Sequence, residues 1–457
     1  MSFIRKIKKK SGVYLAEVES YRDGGKVRQR VIKYIGKEVD SKAPATPALD
    51  GIEVLGVKRY LDYKILHDVA SRLGLPVLLG QDAGRILLLV YTQLIARKAL
   101  YKLPEYVEHT ALDELLKLGK LVDKQLYQAL DELNDLDFQF IEESVLEALL
   151  GGRPGRKAMV IDVTDTYFNG SRADWKRRKG KDGKFEKLIQ VALAVTQDEG
   201  FPILHKTYEG NIGNVKIFED MLAESRLKHF EIVVVDRGMC SHETLDELIA
   251  LGQKVVAGLK LNETIKREHL AGIDREAIFQ PEHRVKLKET EVYAMEFDYH
   301  GGKLVAVYNP ALEAEKRRHA MEKNDYKPQN ARYMGYSAIY HSTGLAAREV
   351  VKTYFERDVV EKAYRHLKTS INLQPVRKYR LDRVGAHVKI CYMAYAILTY
   401  IQSKVKPARM SATTAIELLQ SAYKVEIRHQ EQNLQWQKVV TLKNDQKKIL
   451  KLLDCSV

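Results

Sequence analysis

Cysteine is scarce in this chain. Its 457 residues hold three, Cys240, Cys391 and Cys455, too few and too scattered for a disulfide framework or a cysteine zinc site. The thirteen histidines show no metal-ligand spacing either. His387, in GAHVKI, reads as a packed, hydrogen-bonded side chain. Long apolar runs are also missing. The longest, residues 86–96 and 390–398, fall well short of the ~20 residues that a spanning helix needs. The opening MSFIRKIKKKSG is charged and leads into no apolar signal core. These absences predict a reduced, cytoplasmic protein with no membrane partner.

What the chain has in surplus is positive charge. Lys and Arg number 75 against 61 acids, a net charge of +14 and a pI near 9.3. That balance favours a polyanionic partner, nucleic acid first. The length suggests about three domains.

Residues 1–37 carry eleven Lys/Arg against three acids. VYLAEVESYR, DGG and KVRQRVIKYI read as two alternating runs around a glycine turn, a basic β-hairpin. Such a ribbon fits a DNA groove; a solvated hairpin capping the next domain is the other reading. Residues 38–50, with two prolines, read as a linker. From 51 to 150 the pattern is helical and Leu-rich, with no motif that carries chemistry.

GGRPG (151–155) is a break, after which the texture changes. KAMVIDVTDTYF, KLIQVALAVT and FPILHKTYE read as three strands in a meander. A helix (215–227), the strand EIVVVDRG, the helix SHETLDELIALG with Ser241 as N-cap, and the strand KVVAGLKL follow. The order predicts an α/β fold with a ribonuclease-H-like catalytic core, whose first and fourth strands lie side by side. Asp162 and Asp236 then become neighbours across 73 intervening residues. Two carboxylates at adjacent strand ends repel unless a cation joins them. Two plus a third hold a pair of Mg²⁺ ions ~3.5–4 Å apart, the arrangement for in-line phosphoryl displacement. Glu361 is the expected third ligand. Asp165, an odd three residues beyond Asp162, points to the other side of its strand.

Glu361 lies in YFERDVVEKAYRHLK (354–368). At about 100° per residue, Tyr354, Arg357, Glu361, Arg365 and Lys368 share one sector of a helix, with Phe355, Val359, Ala363 and Leu367 opposite. Arg357–Glu361 and Glu361–Arg365 are also ordinary i,i+4 pairs of a solvated face. The helix alone leaves both readings open.

The residues IDVTDTYF, GFPILHKTYEGN, VVVDRGMCSHETL and YFERDVVEKAYRHLK, with the later GAHVKICYMAY, resemble the DDE transposases of the insertion-sequence four family, in the branch bearing the Tyr-Arg-Glu-Lys signature. The amino-terminal KKKSGVYLAEVESYRDGGKVRQRVIKYIGK resembles the start of one subgroup. The resemblance implies binding at the ends of an insertion sequence, metal-dependent DNA cutting, and joining of the freed 3′-hydroxyl to target DNA. It implies Asp162, Asp236 and Glu361 as ligands of Mg²⁺, with Mn²⁺ as a substitute. Tyr354, Arg357 and Lys368 become backbone-phosphate contacts, with Arg365 beside them and Arg237 next to the second Asp. The residue types suit this: Arg is a fixed fork for phosphate, Lys a movable point charge. Because two ends must be cut in concert, a homodimer on double-stranded DNA is expected, associated with the nucleoid. A nuclease that cuts without joining, or a non-catalytic DNA-binding relic, is the alternative.

Residues 261–343 separate the last core strand from the Glu361 helix and read as a β-rich insertion, with strands around an HGG turn and the charged helix ALEAEKRRHAMEKN. Related transposases often carry a β-rich insertion here that touches the element end, and some use a tryptophan in it to hold a flipped base. This insertion has none, and Tyr293, Tyr299, Tyr308 and Tyr333 are the aromatic candidates. The core resumes over 344–402. Between the first two core strands, SRADWKRRKGKDGKFEK (171–187) reads as a basic loop, with Lys176, Arg177 and Arg178 as DNA contacts; a solvated surface loop is the other reading. Residues 403–457 read as a helical tail.

Overall fold

The amino-terminal segment folds as three strands where the sequence pattern suggested two. The computed structural model describes residues 2–9, 12–37, 51–152, 157–167, 177–180, 183, 185–288, 290–373, 381–430 and 434–457. Strands β1 (Ser2–Lys9), β2 (Gly12–Asp23) and β3 (Lys26–Lys37) form an antiparallel sheet in that order. The β2–β3 turn is Gly24-Gly25, with φ of 55° and 81°, the left-handed pair that a two-residue hairpin turn demands. The strand that was missed, SFIRKIKK, shows no clean two-residue alternation, and its dense charge resembles a loop, yet it pairs along its whole length with β2 at the sheet edge. The linker 38–50 lies outside the described residues.

After β4 (Ile52–Arg59), the Leu-rich region forms helices, among them Leu61–Arg72, Ala83–Ile95, Asp123–Asp135 and Phe138–Leu150. Their apolar stripes close around a 25-residue helix, Leu381–Val405. Its apolar stretch, part of Asp382–Ala408, is long enough to cross a membrane, but 83% of it is buried, as in the central helix of a core. Tyr392 and Tyr395 of this helix donate hydrogen bonds to the carbonyls of Pro202 and Gly200 at 3.1 and 2.9 Å. A buried Glu142–His205 pair, 2.7 Å apart, links Phe138–Leu150 to the sheet.

The central sheet begins with β5 (Ala158–Tyr167), β6 (Arg177–Lys179), β7 (Phe185–Thr196) and β8 (Pro202–Glu209), and continues through β9 (Ile232–Val235) and β10 (Lys254–Leu259). β5, β7 and β8 form the antiparallel meander, and β9 and β10 add in parallel on the far side of β5. The order β8-β7-β5-β9-β10 is that of a ribonuclease-H-like core. Every apolar residue of β9 except its first is fully buried, as expected of a parallel strand covered on both faces. Ser241 caps the helix His242–Ala250, accepting from the Thr244 amide at 3.2 Å.

The insertion extends this sheet. β11 (Arg284–Lys286), β12 (Glu291–Tyr299), β13 (Gly302–Tyr308) and β14 (Tyr336–His341) run antiparallel, and β14 pairs directly with β10, Val256 opposite His341. Among the described residues the sheet thus has ten strands. The HGG turn forms as read: His300 and Gly301, at φ 43° and 66°, join β12 to β13.

The tail is not wholly helical. Helices Ala412–Leu419 and Asn444–Leu453 flank β15 (Tyr423–His429) and β16 (Leu434–Val439), which join β4 in a third sheet, order β16-β15-β4. YKVEIRH has the two-residue alternation of a half-exposed strand, which its charge obscured. By compactness the chain forms two units, Met1–Leu55 with Glu426–Gln437, and Gly56–Val425 with Lys438–Val457. Residues 56–150 therefore share a unit with the strands of the core.

Candidate active site

Parallel pairing of β5 with β9 sets the first relationship. Val160 lies opposite Val234 and Ile161 opposite Val235, so the next residue on each chain, Asp162 and Asp236, emerges at the same level. Each carboxylate accepts a local amide: Val163 N donates to Asp162 Oδ1 at 2.7 Å, and Arg237 N to Asp236 Oδ1 at 2.6 Å. Beyond Asp162, β5 continues paired with β7 alone, Asp165 opposite Gln190. Gly238, at φ 95°, turns the chain away after Asp236.

The predicted single helix over residues 354–368 is in fact two. Ala347–Phe355 ends at Glu356, and Asp358–Arg365 restarts after Arg357, then widens into a five-residue π turn, His366–Ser370. At the junction the backbone tightens to i→i+3 bonds, Arg357 N to Tyr354 O and Val360 N to Arg357 O. The physical reason lies in Arg357, whose guanidinium turns into the site. Nη2 lies 3.2 Å from Asp236 and Nη1 3.1 Å from Glu361, with the group stacked 4.9 Å from the Tyr354 ring centroid. The break rotates the buried face as well. Val360, Ala363, Tyr364 and Leu367 pack inward, while Phe355, expected in the core, is 40% exposed.

Tyr354 also differs from expectation. It is buried, and its hydroxyl donates to Asp236 Oδ1 at 3.3 Å instead of facing outward toward a phosphate. Burial raises its pKa; the Arg357 charge opposes this and the Asp236 charge adds to it. For Arg357, burial disfavours the cation, but Tyr354, Asp236 and Glu361 outweigh it and its pKa rises. Its Nε is buried without an acceptor among the described residues.

Glu361 and Arg365 are exposed, and Lys368 is half-buried in the π turn. Arg237 is exposed beside Asp236. Arg177 and Arg178 fall on β6, paired with Lys187 and Glu186 of β7; their side chains, and all of Lys176, lie outside the described residues. Of the insertion tyrosines, Tyr299 and Tyr308 are buried. Tyr293 packs edge-on to Phe279 at 4.7 Å, and Tyr333 sits under Arg332 at 5.1 Å.

Two supporting residues went unnoticed in the sequence. Tyr364, fully enclosed, donates its hydroxyl to the Asp162 carbonyl and stands 3.0 Å from that of Val191. It ties the Glu361 helix to the Asp162 strand. Gly258 on β10 leaves the space that Tyr354 fills: a Cβ there would lie 2.2 Å from the Tyr354 hydroxyl. A glycine inside an apolar strand is the sequence mark of such a close approach.

Among the described residues no three His, Cys, Asp or Glu side chains close to metal-ligand distance. The donor set nevertheless fits a divalent cation. It is all oxygen, and one positive group, the Arg357 guanidinium, already sits between two of its carboxylates.

The family model described as IS1634 family transposase, N-terminal domain, matches residues 4–52. No curated protein matches the chain. Among solved structures, a piggyBac transposase in a synaptic complex with hairpin DNA aligns at 13% identity, covering 79% of this chain and 78% of that one, with a TM-score of 0.43. The model described as Transposase DDE domain matches residues 153–397, more than half of the chain, which takes in both aspartates and Glu361; the chain belongs to the DDE transposases.

Proposed function

We propose that this transposase binds the ends of its own insertion sequence, cuts them, and joins the freed 3′-hydroxyl to target DNA at Asp162, Asp236 and Glu361. The observation that carries this is the register placing Asp162 beside Asp236, with Glu361 joined to Asp236 through one guanidinium. The three carboxylates would hold Mg²⁺, with Mn²⁺ able to replace it. Held there, the metal supplies charge stabilisation on the reacting phosphate and a more acidic attacking hydroxyl.

The remaining work falls to the chain. Arg357 offers a planar fork to phosphate. Arg365, Lys368 and Arg237 are the phosphate contacts flanking the acids, with Lys176, Arg177 and Arg178 supplying charge from the β5–β7 connection. Tyr354 and Tyr364 orient the acids. Residues 1–37 hold the element end, and two protomers act on two ends. The expected setting is the cytoplasm, on nucleoid DNA.

The test is incubation with Mg²⁺ or Mn²⁺ of a duplex carrying the DNA that flanks the coding region, with a target plasmid. Metal-dependent nicking and joined products are expected, both lost in Asp236→Asn. Nicking with no joined product leaves a nuclease; neither product refutes the assignment.

A further inference from the structure

The two faces of the β1–β2–β3 sheet differ in charge chemistry, and the difference is fixed by register. β2 pairs Arg5 with Ala16 and Phe3 with Val18 on one side, and Tyr34 with Ala16 and Val31 with Val18 on the other. One face therefore presents Phe3, Arg5, Ile7 and Lys9 of β1, Arg22 of β2, and Val27, Gln29, Val31, Tyr34 and Lys37 of β3. The opposite face presents Lys6, Lys8, Lys26, Arg28, Arg30 and Lys33, together with all three acids of the segment, Glu17, Glu19 and Asp23.

The more heavily basic face is thus half-neutralised, its six basic residues set against three acids. Arg30 pairs with Glu19 at 2.8 Å and Arg28 with Asp23 at 3.2 Å, and Ser2 binds Glu17 at 2.7 Å. The Phe3–Arg5–Gln29 face carries four basic residues and no acid. Its cations rest on neutral groups: Lys9 lies 4.0 Å from the Tyr34 ring centroid, and Arg5 hydrogen-bonds Gln29 across the middle strand. Phe3, Val27, Val31 and Tyr34 on this face are all exposed. Two bulges in the β2–β3 pairing, at Leu15/Ala16 and Glu17/Val18, increase the local twist of the ribbon.

We propose that the acid-free face of this sheet, centred on Arg5 and Gln29, is the surface that enters the major groove of duplex DNA. This rests on the end-binding reading above and names the face that performs it. Strands ~4.8 Å apart put the outer strand axes ~9.6 Å from each other, comparable to the ~12 Å width of the groove. Arg and Gln are the side chains that pair with guanine and adenine edges there, and apolar side chains meet thymine methyls. Carboxylates on the opposite face would stand away from the phosphates.

Two triple variants of the full-length protein, each removing three positive charges, test the assignment: Arg5→Ala/Lys9→Ala/Arg22→Ala and Lys6→Ala/Lys8→Ala/Lys33→Ala. Binding is read by fluorescence anisotropy over a salt series, on a duplex of the flanking DNA and on a random duplex of equal length. The first variant is expected to lose ~10-fold or more on the flanking duplex, with a salt slope shallower by about three contacts. The second should stay within ~3-fold. Gln29→Ala, which changes no charge, should lower the flanking-over-random ratio. Equal losses in the two triples, or an unchanged ratio in Gln29→Ala, overturn the assignment while leaving end binding intact. So does unchanged DNA binding with altered self-association in the first triple, which would make this face a contact between copies. Wild-type protein that binds neither duplex refutes the DNA-end reading itself.

Discussion

Tyr364 donates its hydroxyl to the backbone carbonyl of Asp162, so the helix that carries Glu361 is fastened to the strand that carries the first aspartate at the aspartate itself. The tyrosine sits three residues after Glu361, about 60° round the same helix, where the face turns from exposed to buried. Its pKa is raised well above the ordinary value by burial and by the Asp162 charge, so the hydroxyl keeps its proton and remains a donor.

Removing only that hydroxyl should separate position from packing. Tyr364→Phe keeps the ring and strips the donor from two carbonyls, at a cost of about 1–3 kcal/mol in urea unfolding. Nicking should fall by ~10-fold or more, because small displacements of reacting groups are costly. Duplex binding should not change. Full nicking with the stability loss would mean that the bond only supports the fold.

Gly258→Ala tests the Tyr354 platform. The added methyl would displace the Tyr354 ring from β10, with an overpacking cost of about 1–3 kcal/mol. The ring carries both the stack with Arg357 and the bond to Asp236. Metal-dependent nicking should drop sharply in a protein that still melts cooperatively. Unimpaired nicking would show that the ring can shift without consequence.

In the proposed site Arg357 and a divalent cation would both neutralise Asp236 and Glu361, so they would oppose one another there. In Arg357→Gln the two carboxylates lose their shared partner. The metal-free protein should melt lower than wild type, and Mg²⁺ should raise its melting temperature by more. Arg357→Lys should remain damaged in nicking, since a point charge cannot span two carboxylates as a fork does. Equal Mg²⁺ shifts in wild type and Arg357→Gln would place the cation elsewhere.

Glu361→Gln keeps size and hydrogen bonding and removes one negative charge. The Mg²⁺-induced rise in melting temperature should shrink and nicking should collapse. Binding to end-bearing duplex should hold or improve through reduced repulsion. Near wild-type nicking would exclude Glu361 as the third ligand.

The core strand order and the pairing of Asp162 with Asp236 were legible because buried parallel strands leave unbroken apolar runs such as IVVV, and a carboxylate ending such a run stands out. What periodicity could not supply was the break at Arg357. No glycine or proline marks it, and helical spacing alone places Tyr354 with Glu361. The restart comes from a tertiary attraction, one guanidinium drawn to two acids on separate elements. Tyr364 was hidden for a related reason, since its partner is a main-chain carbonyl, which side-chain patterns do not reveal. β15 was missed because dense charge concealed its two-residue alternation, and β1 because its charged residues follow no such alternation at all.

Direct pairing of β14 with β10 has a mechanical consequence. No flexible tether lies between the β12–β13 hairpin and the strand ending at Asp236; the route runs through β14 and β10 by continuous backbone hydrogen bonds. A sheet is stiff along that direction, so force or displacement imposed on the hairpin is transmitted to the aspartate with little slack. The insertion is better viewed as a lever rigidly mounted on the acidic centre than as a flap that swings over it.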